Sequence, residues 1–347
     1  MSQYNIALLP ENQTQKNNLQ EIIEILDTIK LSATYQYPIW ERLQTEHNSP
    51  NFYQQQELTL AKNTTCTLIS PETEDPSGKG KYFIANQDQA NIQLFCETFQ
   101  LHTQMYSCRI FTEEHQTTPQ DSHIRILSPL GSVGYGTLQI QDISPELRQI
   151  LEKEHPDMAK FADQEIEDLI INIHIYNRKN SLKILEFAKN LQNPKFKRII
   201  LHESQQDNPY FLIEPNDPAW EIMNLQQLRH WLQENIIHQA IIIGTSSLVD
   251  WFTGIGLQIA NHSYIGDAYA LFTPTAMYWP QCPLEISNYL SLLFTARTML
   301  EYLQEKDKSS LLNSAIMKAI QQPLHTQTKQ EIHQSILETL TNNIQTP

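Results

Sequence analysis

Three observations predict an α/β fold for this chain. Short apolar runs that stop at proline or glycine alternate along it with longer segments whose apolar residues return every three or four positions. The chain is 347 residues long, enough for one large or two modest domains with a sizeable core. Its residues are 40% hydrophobic and 18% charged, a globular balance and not a disordered one.

The elements follow in order. Ile6 to Leu9 reads as a buried strand ended by Pro10, and residues 19–29 keep helical spacing through Leu19, Ile22, Ile23, Ile25, Leu26 and Ile29. Cys66 to Ile69 reads as a second strand stopped by Pro71, with a loop over 71–80. Residues 88–104 read as a helix. Strands are expected from Arg109 and over Ile124 to Leu127. Gly131, Gly134 and Gly136 follow as a cluster. Helical pieces rich in Glu and Asp are expected over 144–180, then a helix over 180–191, a strand over 198–202 and a helix over 225–236. Ala240 to Ile243 is the most strand-like run. Asn288 to Leu303 reads as a long apolar helix, and 310–343 as a helical tail broken at Pro323. Strand and helix in alternation make α/β the class.

Composition excludes several functions. Asp and Glu number 39 against 24 Lys and Arg, a formal charge of -15, which argues against nucleic acid or an anionic membrane as the main partner. No apolar run nears the roughly 20 residues of a membrane helix, and the polar start is not that of a signal peptide. Only nine residues are glycine, against an average near 7%, so phosphate-cradling loops have little to be built from. Cys66, Cys96, Cys108 and Cys282 lack C-x-x-C spacing, which fits scattered reduced thiols in a cytoplasmic protein.

Three stretches, in order, resemble the isocitrate/isopropylmalate dehydrogenase family. Tyr4 to Pro10 is similar to the family's first strand. Ile265-Gly266-Asp267, then Ala270 to Thr275, resembles the run that leads into its nucleotide loop. Ile286-Ser287-Asn288, continuing to Met299-Leu300, resembles the helix after that loop. The resemblance implies central sheets flanked by helices, in two domains with the active-site cleft between them. Residues 1–98 and 250–347 would form a discontinuous large domain. Residues 99–249 would form a small domain with a dimerisation arm around 137–175, and the protein would be a homodimer.

The family's chemistry is β-decarboxylating oxidation of a hydroxy acid. It needs cations around the substrate carboxylates, magnesium or manganese to polarise the oxygen, a Lys/Tyr pair to move protons, and NAD(P). The resemblance sets the two clamp arginines on Cys96 and Tyr106 and the third on Ser128; only the outer arginine, Arg109, is kept. A strand-edge surface arginine is the other reading of Arg109. Each charge-assisted bond lost is worth roughly 1.5–3 kcal/mol. Asp250 matches the first metal carboxylate and Gly254 falls on the second; a helix-start aspartate is the alternative for Asp250. Tyr135 matches the catalytic tyrosine, although a tyrosine between glycines also suits a packed loop. Glu203 or Ser204 occupies the neighbourhood where the resemblance places the catalytic lysine, so that positive charge is missing.

The cofactor loops depart most. Glu11 to Asn17 has no match to the family's first loop. Tyr278 and Trp279 stand where the family has small residues near the nucleotide. Asn288 remains of the adenine-contacting set, with a helix N-cap as its other reading, and Asp267 keeps its place in the loop. The pattern suggests a kept fold with lost chemistry: an inactive binding or regulatory homologue, partnering itself or an active paralogue and needing no cofactor. The alternative is an NAD(P)-dependent oxidoreductase for a less anionic substrate, working through Tyr135 and Asp250. A third reading makes the cleft a new pocket walled by Tyr106, Trp251, Tyr278 and Trp279.

Overall fold

The computed structural model describes residues 4–10, 13–37, 57–70, 94–111, 121–130, 135–140, 171–176, 178–191, 196–201, 219–234, 239–244, 257–275, 282–321 and 324–345, with a few isolated positions between them. The chain opens with β1 (Tyr4–Pro10), α1 (Gln13–Thr28), β2 (Ala33–Gln36) and β3 (Cys66–Ser70). Next come β4 (Thr103–Phe111), β5 (Asp121–Pro129), β6 (Tyr135–Ile140), β7 (Ile171–Tyr176) and α2 (Arg178–Asn190). The order continues with β8 (Lys197–Leu201), β9 (Glu221–Met223), α3 (Leu225–Glu234) and β10 (Gln239–Ile243). It closes with β11 (Leu257–Ile265), β12 (Ala270–Thr275), α4 (Leu284–Tyr302), α5 (Lys306–Ala319) and α6 (Lys329–Gln345).

Ten strands make one sheet in the order β2-β1-β3-β12-β11-β4-β5-β10-β8-β9. The β2, β1, β3 and β12 group is parallel, and so is the β5, β10, β8 and β9 group. Between them β12, β11, β4 and β5 pair antiparallel in succession. The inner parallel strands β1, β3 and β10 are mostly buried apolar runs, as strands with both faces covered must be, whereas the edge strands β2 and β9 are partly exposed. On one face, Ile6, Leu8, Leu68, Met105, Phe272 and Ile241 belong to a core completed by α1, α2, α4, α5 and α6. On the other, Tyr106, Ile124, Ile126 and Ile242 pack with α3. No helix among the described residues is long and apolar enough to cross a membrane.

Several expectations are corrected. The helix read over 88–104 has its helical residues at 94–98 among those described, and β4 already begins at Thr103. Gln100 takes a left-handed φ of 51°, and the Leu101 N–H donates back to the Cys96 carbonyl at 2.8 Å, which ends the helix. Within the stretch read as helical, 171–176 is a strand, because Ile171, Ile173 and Ile175 alternate with polar residues. It pairs antiparallel with β6 in a separate two-stranded sheet, Tyr135 opposite Tyr176, so Tyr135 is a strand residue and not a loop residue. The tail is two helices joined through a short 3-10 turn at Leu324–Thr326; Pro323 and the 71–80 loop lie outside the described residues.

The helix expected from Asn288 begins at Leu284, with Pro283 as its N-cap, so Asn288 does not cap it. Residues 286 and 287 and every residue from 289 to 300 are buried in this helix. Its polar side chains bond locally: Thr295 donates to the Ser291 carbonyl at 2.6 Å and Thr298 to that of Phe294 at 2.9 Å. That lets α4 lie flat on β11 and β12 with no stranded hydroxyl at those two positions.

Candidate functional site

Strand alternation sorts the sequence-derived site residues. Side chains on β4 and β5 point to opposite faces in turn. The register pairs Arg109 with His123, Ser107 with Arg125 and Met105 with Leu127, so these six share one face. Tyr106, opposite Ile126, and Ser128, opposite Gln104, belong to the other face. Arg109 therefore projects away from the face of positions 106 and 128, which the family resemblance gave to clamp arginines.

Those clamp positions are filled by core. Tyr106 is 0% exposed within an apolar cluster that includes Cys108, Ile124 and Ile126. It is not the pocket wall suggested by sequence; Trp251, Tyr278 and Trp279 lie outside the described residues. Cys96 is 2% exposed beside Phe95 and Leu101, and burial pushes its thiol up to about 12. Ser128 is 0% exposed.

Arg109 is not at the surface either. It is 6% exposed, and side chains of the C-terminal helices contact it. One terminal nitrogen donates to Asn313 Oδ1 at 2.6 Å, the other to Met317 Sδ at 3.6 Å, and the guanidinium sits 4.7 Å from the Phe294 ring centre. Arg125, 2% exposed, donates to Glu301 Oε2 at 2.5 Å. Arg297, 8% exposed and one turn before Glu301 on α4, donates to Glu301 Oε1. Burial would push the Glu301 carboxyl up, but Arg125 and Arg297 outweigh it and hold the carboxyl below its ordinary value.

His123 lies among these cations. Its Nε2 is 3.0 Å from Ser107 Oγ and 3.4 Å from Arg125 Nε. The arginine N–H can only donate, so Nε2 accepts and the neutral ring carries its proton on Nδ1. Burial, then Arg125, Arg109 and Arg297, push its pKa well below the usual histidine value. A cavity of about 710 Å3 opens over this cluster between α2 on one side and α4 and α5 on the other. Phe187 and Phe196 line it with Asn190 and Gln239, while the exposed Gln304, Lys306, Ser310 and Ser314 form its rim.

Asp267 lines the same cavity in the turn after β11. Its carboxylate accepts from Lys183 Nζ and lies 3.3 Å from His102 Nε2. The Lys183 hydrogen bond leads in holding it below the ordinary carboxylate range. Asn288, half-buried on α4, does not line the cavity. Nothing is described of the Tyr135 side chain, and Asp250, Gly254, Glu203 and Ser204 lie outside the described residues. Among the described residues no three His, Cys, Asp or Glu side chains gather to hold a metal ion.

Neither a protein-family model nor a curated protein sequence matches the chain. Solved structures do. A β-decarboxylating dehydrogenase from Thermococcus kodakarensis, in its apo form, superposes with a TM-score of 0.62 at 13% identity, over 99% of this chain and 98% of that one. Isocitrate dehydrogenase from Methylococcus capsulatus gives 0.58 at 15%, over 97% and 99%. The chain has the β-decarboxylating dehydrogenase fold. A Thermus thermophilus protein carries a similar fold, with a TM-score of 0.61 at 16% identity over 99% of this chain and 70% of that one. On this dehydrogenase fold the sequence had pointed to Arg109 and Asp267, which share the cavity. It had not pointed to His123, Arg125, Arg297 or Glu301. Two signals were present: an arginine inside the apolar run Ile124 to Leu127, and an Arg-x-x-x-Glu pair on an apolar helix.

Proposed function

We propose that this chain is a dehydrogenase-fold protein that no longer oxidises the substrates of that fold and acts as a binding or regulatory protein. One observation carries the reading. The positions matched to the three clamp arginines hold Cys96, Tyr106 and Ser128, all neutral and all buried. A tri- or dicarboxylate has no cation to meet there, and burial leaves no room for one to swing in from those positions.

The residues do not fit the cofactors either. A magnesium or manganese ion in a protein site is usually held by one or two carboxylates with near-ideal octahedral oxygen, and the matched pair here is Asp250 and a glycine. For a dinucleotide, Asn288 sits inside α4 and not at its start, and Asp267 is engaged by Lys183 and His102. The protein is read as a homodimer, or as the partner of an active paralogue. The two-stranded β6–β7 sheet supports this, because such a sheet is marginal alone and has edges that a second copy can cover. A large domain of residues 1–98 and 250–347, a small domain of 99–249 and a cytoplasmic setting belong to the same reading.

The test is turnover together with cofactor binding. Isocitrate, 3-isopropylmalate, tartrate and malate should give no oxidation with NAD or NADP, and calorimetry should detect neither dinucleotide at millimolar concentration. Turnover of any of the four at ordinary enzyme rates, about 1–10³ per second, would make the chain an oxidoreductase with altered specificity.

A further inference from the structure

We propose that the half-buried pair Gln104 and His262, on the sheet face that carries positions 106 and 128, binds an uncharged amide edge, an N–H beside a C=O as on a lactam or a pyrimidine base. The site rests on the reading that this face has lost its clamp cations.

Register places both residues in a seam. Ser128, Gln104, Tyr264 and Leu271 make one cross-strand row, and Ile126, Tyr106, His262 and Thr273 make the next. Tyr106 and Ile126 belong to the apolar cluster that packs with α3, while Tyr264 and Leu271 belong to a second apolar cluster with Phe95 and Leu101. Gln104 and His262 fall between the two clusters and are only half-buried, so solvent reaches them.

Hydrogen bonding sets the ligand class. Gln104 Nε2 and His262 sit on neighbouring strands, with Nδ1 3.2 Å from the amide, and the bond between the two side chains can run in either sense. With the amide donating, Gln104 Oε1 is left to accept and the His262 Nε2–H to donate. With the ring donating, the Gln104 amide N–H is left to donate and His262 Nε2 to accept. Each sense leaves one donor and one acceptor with no other hydrogen-bond partner among the described residues. An amide edge offers the complementary acceptor and donor side by side. The His262 ring is braced for this by Tyr106, whose ring centre is 5.0 Å away, and by Tyr264 at 6.3 Å and 20° from parallel.

Charge selects against an anion. The described residues on this face of β4, β5, β11 and β12 include no Lys, Arg, Asp or Glu. Burial lowers the His262 pKa to about 4, so the ring is a hydrogen-bonding group and not a cation. Ser128, directly opposite Gln104, is 0% exposed, and its hydroxyl has no hydrogen-bond partner among the described residues. Buried polar groups are normally satisfied, so the Gln104 row is one partner short of a complete network. A neutral polar occupant beside Gln104 suits that deficit, and a charged one would lose its hydration with no opposite charge to meet.

The experiment uses the full chain and three probes: uracil, 2-pyrrolidinone as a bare lactam, and 1,3-dimethyluracil, which keeps the ring and both carbonyls but has no N–H. Binding at millimolar concentration is read by saturation-transfer NMR and quantified by calorimetry. Uracil should bind and 1,3-dimethyluracil should not. A response to 2-pyrrolidinone as well assigns recognition to the amide edge alone, and its absence adds the planar ring; either supports the site. Gln104→Met, of similar length, should weaken uracil roughly tenfold through the lost hydrogen bonds. The proposal is overturned if uracil does not bind, if 1,3-dimethyluracil binds as tightly, or if Gln104→Met binds uracil like the parent. Failure of uracil in a chain that also leaves isocitrate, 3-isopropylmalate, tartrate and malate unoxidised strikes this site alone, whereas turnover of any of them strikes the reading beneath it.

Discussion

His262 is a histidine that folding holds neutral. Burial lowers its pKa from 6.5 to about 4, while Gln104 Nε2 lies 3.2 Å from its Nδ1. In the unfolded chain it takes a proton near 6.5; in the folded chain it resists one down to about 4. The unfolded state therefore binds more protons in that window, and stability falls as the pH drops through it. Urea midpoints between pH 7 and pH 4 should decline, and the decline should be shallower in His262→Asn. Equal slopes in the two proteins would remove His262 as a cause. At this scale the sequence was partly legible. Arg109 stood out because the resemblance kept it, but the alternative of a strand-edge surface arginine fails, since the side chain is buried, on the face opposite to Tyr106 because an odd number of residues separates them. Glu301 was invisible as a partner of Arg125, since the pair is 176 residues apart in sequence and only the fold joins it.

Among the elements, α3 carries the clearest local signal. Asn224 Oδ1 accepts from the Gln227 N–H at 2.8 Å, and Gln227 Oε1 accepts from the Asn224 N–H at 2.8 Å. This is a reciprocal capping box, and Asn-x-x-Gln can be read directly from the sequence. Asn224→Ala should cost about 1 kcal/mol in a urea titration, with no change in secondary-structure content by circular dichroism. A cost near zero would mean that tertiary packing alone sets where α3 begins. Periodicity found α1, α2, α3 and the apolar body of α4, because their faces are bound by one consistent spacing. It did not find β11, whose Leu257 to Ile265 run mixes apolar residues with Asn261, His262 and Ser263. At the sheet centre Asn261 meets Thr298 at 3.4 Å and His262 meets Gln104 at 3.2 Å, both on other elements, while the Ser263 hydroxyl is buried without a hydrogen-bond partner among the described residues. No window around residue 261 contains that information.

For the molecule as a whole, resemblance did what periodicity could not. The stretch from Ile265 to Leu300 carried the dehydrogenase likeness, and the solved structures match over nearly the full chain. Strand order was not readable, because it depends on pairings such as β12 with β3 that cross most of the sequence. The quaternary prediction belongs here. Sedimentation at micromolar concentration should give a dimer, and deletion of residues 137–175 should give a monomer that retains the ten-stranded sheet. A monomeric parent would remove both the arm and the partner role of β6 and β7.

The seating of β11 and β12 has a consequence for synthesis. These strands are made late, yet they occupy the centre of the sheet, between β3 and β4. A nascent chain that has emerged only through β10 would expose the inward edges of both flanking strands. At about 5–20 residues per second, the roughly 200 residues between β3 and β12 take some 10–40 seconds to translate. For most of that time, once β4 has also been made, the nascent chain would carry two strand edges with nothing to cover them. Chaperone dependence should therefore be written into the order of the strands themselves, and a circular permutant that begins at β11 should emerge with a lighter need for help.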